Sequence, residues 1–340
     1  MSFANFGDVT IGRNRSFLSA TNKKTGIDTN VIVKNKVSWG RLLFHFRGSS
    51  FMETWPRILA ATATAIVVTY VELYYSIQEY TLTTTPFLLI GVALGVFLGF
   101  RNNASYDKFW EGRKLWGALV NTARNLARQA CFFADAAKDS EAAQRLRVIF
   151  VKRIVAYAHA LRCHLRHENP AEEIKQFMPP EDLSETLESS HRPLAIMQQL
   201  GRDLATARSE GWLSEYDHAA IDAQLSELTN ILGGCERIRN TPLPFSYSVL
   251  IHRIVASYCL FLPFGLVETT GILTPIVVMM ISYAFFELDA IGDEIENPFG
   301  LQPNDLPLAA ISRTIEINLL ESIGDPACPE PLKPVNDILM

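Results

Sequence analysis

The chain has 340 residues, a formal net charge of −5 and a sequence pI of about 5.9, so it lacks the strongly basic balance of a dedicated nucleic-acid-binding protein. Its five cysteines are odd in number and show no CxxC spacing, which argues against a zinc ribbon or a secreted disulfide framework. No GxSxG, HExxH, GxxxxGKS or GxGxxG motif occurs in the sequence, and this argues against an enzyme.

The chain begins with a polar extension, residues 1–36, that lacks the apolar core of a signal peptide. Four uncharged apolar windows follow, at residues 58–71, 80–100, 254–267 and 269–286. A helix needs about 20 apolar residues to cross a bilayer, so the first and third windows must extend into their flanks. Because the windows form two closely spaced pairs, they favour two transmembrane hairpins over the buried core of a soluble helical interaction protein.

The charges around the first pair of windows predict their orientation. Lys and Arg residues cluster before the first window and after the second, whereas Glu72 and Glu79 are the only charges between them. Cytoplasmic loops carry the excess of Lys and Arg, so the N-terminus and the region after Phe100 are expected in the cytoplasm. The sequence therefore predicts a multi-pass protein of the cell membrane, the inner membrane in a bacterium, with both termini cytoplasmic.

Between the hairpins, residues 101–248 are charged and poor in Gly and Pro, and apolar spacing predicts helices at 141–167 and 217–232. The pair Gly233-Gly234 is expected to end the second of these helices. No stretch shows sustained strand alternation, so the predicted class is all-α, with four transmembrane helices. The predicted segments are the extension 1–36, a first hairpin 37–100, a cytosolic helical region 101–248, a second hairpin 249–288, a cytosolic C-terminal segment 289–324 and a Pro-rich tail 325–340.

The second window carries two stripes of residues at helical spacing. Small residues recur every four positions at Gly91, Gly95 and Gly99. Larger apolar residues recur one position later, at Val92, Val96 and Phe100. If several copies surround an axis, the glycines allow close packing against a neighbour and the second stripe lines a narrow apolar tube that gates ions by dewetting. The alternative is an ordinary tightly packed helix.

Several strings resemble the bestrophin family, especially its prokaryotic members. They are FLGFRNNASYDKFWEGRKLWG at 97–117, LGGCERIRNTPLPFSY at 232–247, IENPFGLQPNDLPL at 295–308 and WGRLLFHFRGS at 39–49. Together with the window layout, the resemblance covers about residues 37–320. It implies a homopentameric ion channel with one axial pore, whose partners are further copies of the chain, the lipid bilayer and permeant monovalent ions, and which needs no cofactor.

The resemblance also implies particular site residues. A hydrophobic neck would lie at Val92, Val96 and Phe100, the stripe that the helical spacing also singles out. A second, cytosolic aperture would lie at Tyr216, where the family often has a smaller aliphatic residue. Animal members carry a calcium clasp around an Asn-Pro-Phe-Gly motif, here residues 297–300, followed by an acidic run. Here that run is reduced to Asp305.

Calcium binding needs six to eight oxygen ligands, often from several carboxylates. The remaining candidate ligands are Glu294, Asn297 and Asp305. Because these residues supply too few oxygens, we expect opening without calcium.

The sign of the permeant ion, chloride or a cation, stays open because an uncharged neck has no charge to select it. The net charge, repeated in five copies, and the acidic stretch 287–296 favour cations. Arg101, directly after the neck, favours anions if it faces the pore.

A second hypothesis is an integral-membrane enzyme or sensor with its site in the cytosolic helices. His159, Cys163 and His167 share one helix face, but ligands on successive turns of one helix cannot all reach one zinc ion. We therefore expect no metal there.

Overall fold

A computed structural model describes residues 50–75, 83–136 and 140–334. These residues form α-helices and one 3-10 turn and contain no strand, which confirms the predicted all-α class for this part of the chain. The predicted N-terminal extension, the 39–49 string and the last six residues of the Pro-rich tail lie outside the described residues. The tail that is described, 325–334, contains no helix.

The helices follow one another with short connections. They are α1 (Phe51–Tyr75), α2 (Thr84–Ala136), α3 (Glu141–Arg166), α4 (Ala171–Ile174), α5 (Pro180–Glu188), α6 (Arg192–Ser209), α7 (Glu215–Asn240), α8 (Phe245–Thr270), α9 (Thr274–Glu294) and α10 (Leu308–Ser322). The 3-10 turn Gly271–Leu273 joins α8 to α9.

Helices α1, α8, α9 and the first half of α2 pack together as an apolar bundle. Three segments of the described chain are long and apolar enough to cross a bilayer: Phe51–Tyr75, Thr84–Phe132 and Phe245–Glu294. The third segment contains both α8 and α9, and Gly271 between them has a φ of 51°, which favours glycine. Ile58, Leu94, Val255 and Val278 meet in the core of this bundle.

Helix α2 is continuous for 53 residues, which corresponds to about 80 Å. The hydrocarbon core of a bilayer is only about 30 Å thick, so α2 extends far beyond it. The predicted boundary at residues 100/101 therefore falls inside one helix rather than at a linker. Beyond the apolar bundle, α2 packs against α3, α7 and α10 around a second hydrophobic core. We call these helices, with the core that they enclose, the polar helical region.

Helix α3 matches the predicted helix 141–167 within one residue, and both of its ends are capped. The Ser140 side chain accepts a hydrogen bond from the Ala143 N–H at the start. His167 adopts a left-handed conformation with a φ of 57° at the end, and the Glu168 N–H bonds back to the Cys163 carbonyl at 2.8 Å. These caps fix the ends of the helix.

Helices α2 and α7 run antiparallel along the polar helical region. Three pairs define their register: Glu111 with Arg237, Leu115 with Gly234, and Asn125 with Gln224. The prediction that Gly233-Gly234 ends the helix is wrong, because α7 continues to Asn240. A Cβ at Gly234 would lie 2.9 Å from Leu115 Cδ1, so glycine serves the close approach of the two helices there.

Candidate pore-lining face

The predicted neck residues lie on the side of α2 that faces away from the rest of the subunit. Leu94 and Leu98 are buried against the apolar bundle. Successive residues of a helix are about 100° apart, and Val96 is two residues from both Leu94 and Leu98. Its side chain therefore lies about 160° around the helix from theirs, on nearly the opposite side. Val92, Val96 and Phe100 are accordingly 63%, 52% and 65% exposed in the single chain.

The three glycines of the neighbouring stripe have different surroundings. A Cβ at Gly91 would lie 2.6 Å from the Tyr258 hydroxyl, so Gly91 packs against α8 of the same chain. Gly95 and Gly99 have no described atom within 4 Å of such a Cβ. Two of the three glycines therefore lie on helix surface that no other part of the described chain covers.

Arg101 follows the neck residues in sequence but points into the subunit. Its side chain is fully buried, its Nη1 donates to Asp289 Oδ1 at 2.6 Å, and its Nη2 pairs with Asp293. His252 Nδ1 lies 2.6 Å from the other Asp289 oxygen. A charged residue at this depth is stabilised by facing the bundle interior and pairing there. Arg101 therefore directs its charge into its own subunit and gives no reason to expect anions.

The acidic stretch 287–296 is also engaged within the subunit. Its carboxylates have these partners: Glu287 with Thr54, Asp289 and Asp293 with Arg101, Glu294 with Ser50 and Asn304, and Glu296 with the Leu243 N–H. These contacts tie α9 and the following loop to α1, to α2 and to the connection that precedes α8. The stretch is thus a set of internal anchors, which the sequence alone did not indicate.

Tyr216, the predicted aperture residue, lies in the first turn of α7 and is 88% exposed. The antiparallel register places it at the end of α7 farthest from the apolar bundle, beyond the contact of Asn125 with Gln224. The neck stripe and Tyr216 therefore occupy opposite ends of the described chain's long axis along α2.

Comparisons with known proteins identify the family. The family model for the bacterial/fungal bestrophin protein matches residues 31–321. The chain belongs to the bestrophin family. This bestrophin is 42% identical over 297 residues to a voltage-dependent anion channel-forming protein of Ralstonia nicotianae, covering 87% of this chain and 96% of the relative. The corresponding protein YneE of Escherichia coli is 36% identical over 305 residues, with 89% and 98% covered.

A solved structure agrees with the fold. A bacterial bestrophin homologue from Klebsiella pneumoniae, crystallised with a single substitution, matches with a TM-score of 0.76 and 36% identity, covering 82% of this chain and 100% of that one. This bestrophin is therefore a membrane-spanning ion channel and not an enzyme, so the hypothesis of a membrane enzyme or sensor is set aside.

The Asn-Pro-Phe-Gly loop of this bestrophin is a packed structural element. Phe299 inserts into the core of the polar helical region, close to Gly112 of α2. Asp305 Oδ2 accepts a hydrogen bond from the Gln302 N–H at 2.7 Å and lies near Gly300. Burial raises the pKa of the Asp305 carboxyl to about 6. Both oxygens of Glu294 already accept hydrogen bonds, from Ser50 and Asn304.

The three residues weighed as a metal site do not converge within the described chain. The ring of His159 contacts Glu316 at 3.0 Å and Glu173 at 3.2 Å. Burial disfavours the charged ring, but these two carboxylates outweigh it and raise the pKa of His159. His167 caps α3, and Cys163 is buried beside Arg162. Sequence spacing put these residues on one face, but their partners come from other helices.

Proposed function

We propose that five copies of this chain surround a single axial pore lined by α2, with four membrane spans in each copy. The support comes from α2 itself, which packs one side into its own subunit and leaves the opposite apolar side without a described partner. Open helix surface at Gly95 and Gly99 provides the close contact that a neighbouring subunit needs. The proposed hairpins comprise residues 37–100 and 249–288.

The neck of the proposed pore is the stripe of Val92, Val96 and Phe100. This stripe carries no charge and no hydrogen-bonding side chain, so water wets it poorly when several copies close around an axis. The observation that carries the proposal is that these three residues point away from the buried face of α2. Conduction is passive, and widening or wetting of the neck opens it.

We further propose that the pore mouths, rather than the neck, determine the sign of the permeant monovalent ion. Arg101 pairs with Asp289 and Asp293, and the other carboxylates of the stretch 287–296 accept hydrogen bonds inside the subunit. The names of the two relatives favour an anion such as chloride, whereas the net charge of −5 per chain favours cations. The cytosolic mouth of the pore is the proposed aperture at Tyr216. The ring of Tyr216 is exposed and can approach the same ring in the other copies.

Opening of the proposed channel does not require calcium. Glu294 and Asp305 offer oxygens that already accept hydrogen bonds, and Asn297 contributes a neutral amide. A calcium site would need six to eight oxygens, which this loop does not assemble from those three residues.

In the proposed topology, the chain lies in the cell membrane and residues 101–248 and 289–324 form its cytosolic part. The extension 1–36 and the tail 325–340 also lie in the cytoplasm. The excess of Lys and Arg around the first hairpin supports this orientation.

Planar-bilayer recording of the purified protein tests the proposed function. We expect single-channel currents under a potassium chloride gradient, a reversal potential near the equilibrium potential of one ion, and unchanged currents after a calcium chelator is added. A reversal potential near the chloride value identifies an anion channel, and one near the potassium value a cation channel. Silent bilayers with both the wild-type chain and a neck triple-alanine variant, or currents abolished by the chelator, would contradict the proposal.

A further inference from the structure

Three potential metal ligands from separate elements meet in the polar helical region. His164 lies in the last turn of α3, His191 directly precedes α6, and Glu236 lies near the end of α7. The Nε2 atoms of His164 and His191 are 2.7 Å and 2.8 Å from the same Glu236 oxygen, Oε1. The three ligand atoms all lie within 4.8 Å of one another.

The two imidazole rings are held side by side as they converge on this carboxylate. Their centroids are 4.6 Å apart, with an angle of 33° between the ring planes. The backbone on either side is fixed, because Arg239 Nη1 donates to the His164 carbonyl at 2.6 Å and His191 caps the start of α6. The site is thus assembled by the fold from residues far apart in sequence.

We propose that His164, His191 and Glu236 bind a first-row transition-metal ion, with Zn²⁺ as the preferred physiological candidate. Two imidazole nitrogens and one carboxylate oxygen form a donor set that suits Zn²⁺ and its neighbours. Ca²⁺ and Mg²⁺ prefer oxygen ligands in larger number, so the same set is a poor site for them. The proposed site is independent of pore conduction and of the Asn-Pro-Phe-Gly loop.

A small adjustment of the side chains accommodates the ion. In a tetrahedral zinc site with bonds of about 2.0 Å, neighbouring ligand atoms are about 3.3 Å apart. The two N···O distances must therefore lengthen by about 0.5 Å, given that separation. Binding of the ion at Nε2 places the ring proton of each histidine on Nδ1. For His191 this replaces a contact of 3.3 Å in which Nδ1 accepts from the Leu194 N–H.

A cavity borders one of the three proposed ligands, His164. His164 lines a cavity of about 220 Å³, together with Cys163, His167, Glu168 and Ser190. A water molecule held there would complete four-fold coordination, which is the arrangement of zinc sites with three protein ligands. Arg192 also lines this cavity and Arg239 is bound nearby, so the positive charge around the site moderates its affinity.

The consequence of binding is a clamp across three helices. The ion would join α3, the start of α6 and α7 through one centre, in place of two hydrogen bonds to one oxygen. Anything that binds the folded state and not the unfolded chain raises stability, so Zn²⁺ is expected to raise the melting temperature of the full protein.

Calorimetric titration of Zn²⁺ into the chelator-stripped, detergent-solubilised full chain tests this proposal. Two variants remove a ligand while they preserve local structure: His164→Gln keeps an N–H donor for Glu236, and His191→Asn keeps a good helix cap. His218→Ala is the matched control, because His218 lies 18 residues before Glu236 on α7, about 27 Å away. All proteins are first compared by thermal melting without metal, which shows that they are folded.

We expect saturable binding of one Zn²⁺ per subunit in the wild type and in His218→Ala, accompanied by a higher melting temperature. In His164→Gln and His191→Asn the affinity should fall by at least about tenfold and the stabilisation should disappear. Ca²⁺ in excess should not compete. Absence of saturable Zn²⁺ binding to the wild type, or equal binding in both ligand variants, would overturn the proposal. Because no current is measured, this result is separate from that of the bilayer experiment.

Discussion

Replacing Arg101 by Met tests whether this cation is an internal structural residue or part of the ion pathway. Both the Arg101 side chain and its partner Asp289 are almost completely buried, with 0% and 2% of their side chains exposed. Removing one partner of such a buried pair costs about 3–5 kcal/mol, because it leaves an uncompensated charge. His252 Nδ1 remains within hydrogen-bond distance of Asp289, at 2.6 Å, so we expect the lower end of this range. The pair with Asp293 adds little, because that carboxylate is half exposed.

The assay combines thermal melting in detergent with the reversal potential in bilayers. Arg101→Met should melt at a clearly lower temperature, and the double variant Arg101→Met/Asp289→Leu should recover part of that loss because no buried charge is left unpaired. The reversal potential should match the wild type in every variant that yields channels. A wild-type melting temperature together with a shifted reversal potential would refute the inward orientation of Arg101.

Four further predictions concern packing, subunit assembly, titration and the cytosolic aperture. Gly265→Ala should destabilise the protein by about 1–3 kcal/mol, because a Cβ there would overlap the buried Phe87 ring. Gly95→Ala should leave the melting of the isolated subunit unchanged and weaken its assembly, as size-exclusion chromatography in detergent would show. The raised pKa of Asp305, about 6 against about 3.9 in an unfolded chain, means that its ionisation reduces stability as pH rises between these values. Melting curves should therefore show a gain for Asp305→Asn over the wild type that grows from about pH 4 to about pH 6 and is constant above, whereas a gain that shrinks with rising pH would reverse the sign. Tyr216→Ala should raise single-channel conductance without a change in melting temperature, because the exposed ring stabilises nothing within the subunit; unchanged conductance would contradict an aperture at this position.

The sequence predicted the apolar helices of the described chain, because they depend on local patterns. Uncharged windows and four-residue spacing are visible in a single segment, and the stripe of Val92, Val96 and Phe100 follows from helical periodicity alone. The continuity of α2 was missed, since the change from apolar to charged composition at Arg101 resembles a domain boundary. A helix that crosses from lipid into water changes its composition without changing its backbone.

Side-chain partnerships were the part that the sequence could not predict. The pairing of Arg101 with Asp289 joins residues 188 positions apart, and the meeting of His164, His191 and Glu236 joins three helical elements. Gly234 illustrates the same limit in the backbone. A Gly pair usually signals a helix end, but here tertiary contact with Leu115 determines its use.

The most direct test of the pore assignment compares two sets of alanine substitutions on α2 by single-channel recording. The neck variant carries Val92→Ala, Val96→Ala and Phe100→Ala. The matched control carries Ile90→Ala and Phe97→Ala, which remove similarly exposed apolar side chains about 100–120° around the helix from Val96. A hydrophobic neck predicts higher conductance or open probability for the neck variant and wild-type conductance for the control. Unchanged currents in the neck variant, or an equal increase in the control, would contradict the assignment of the pore to this face.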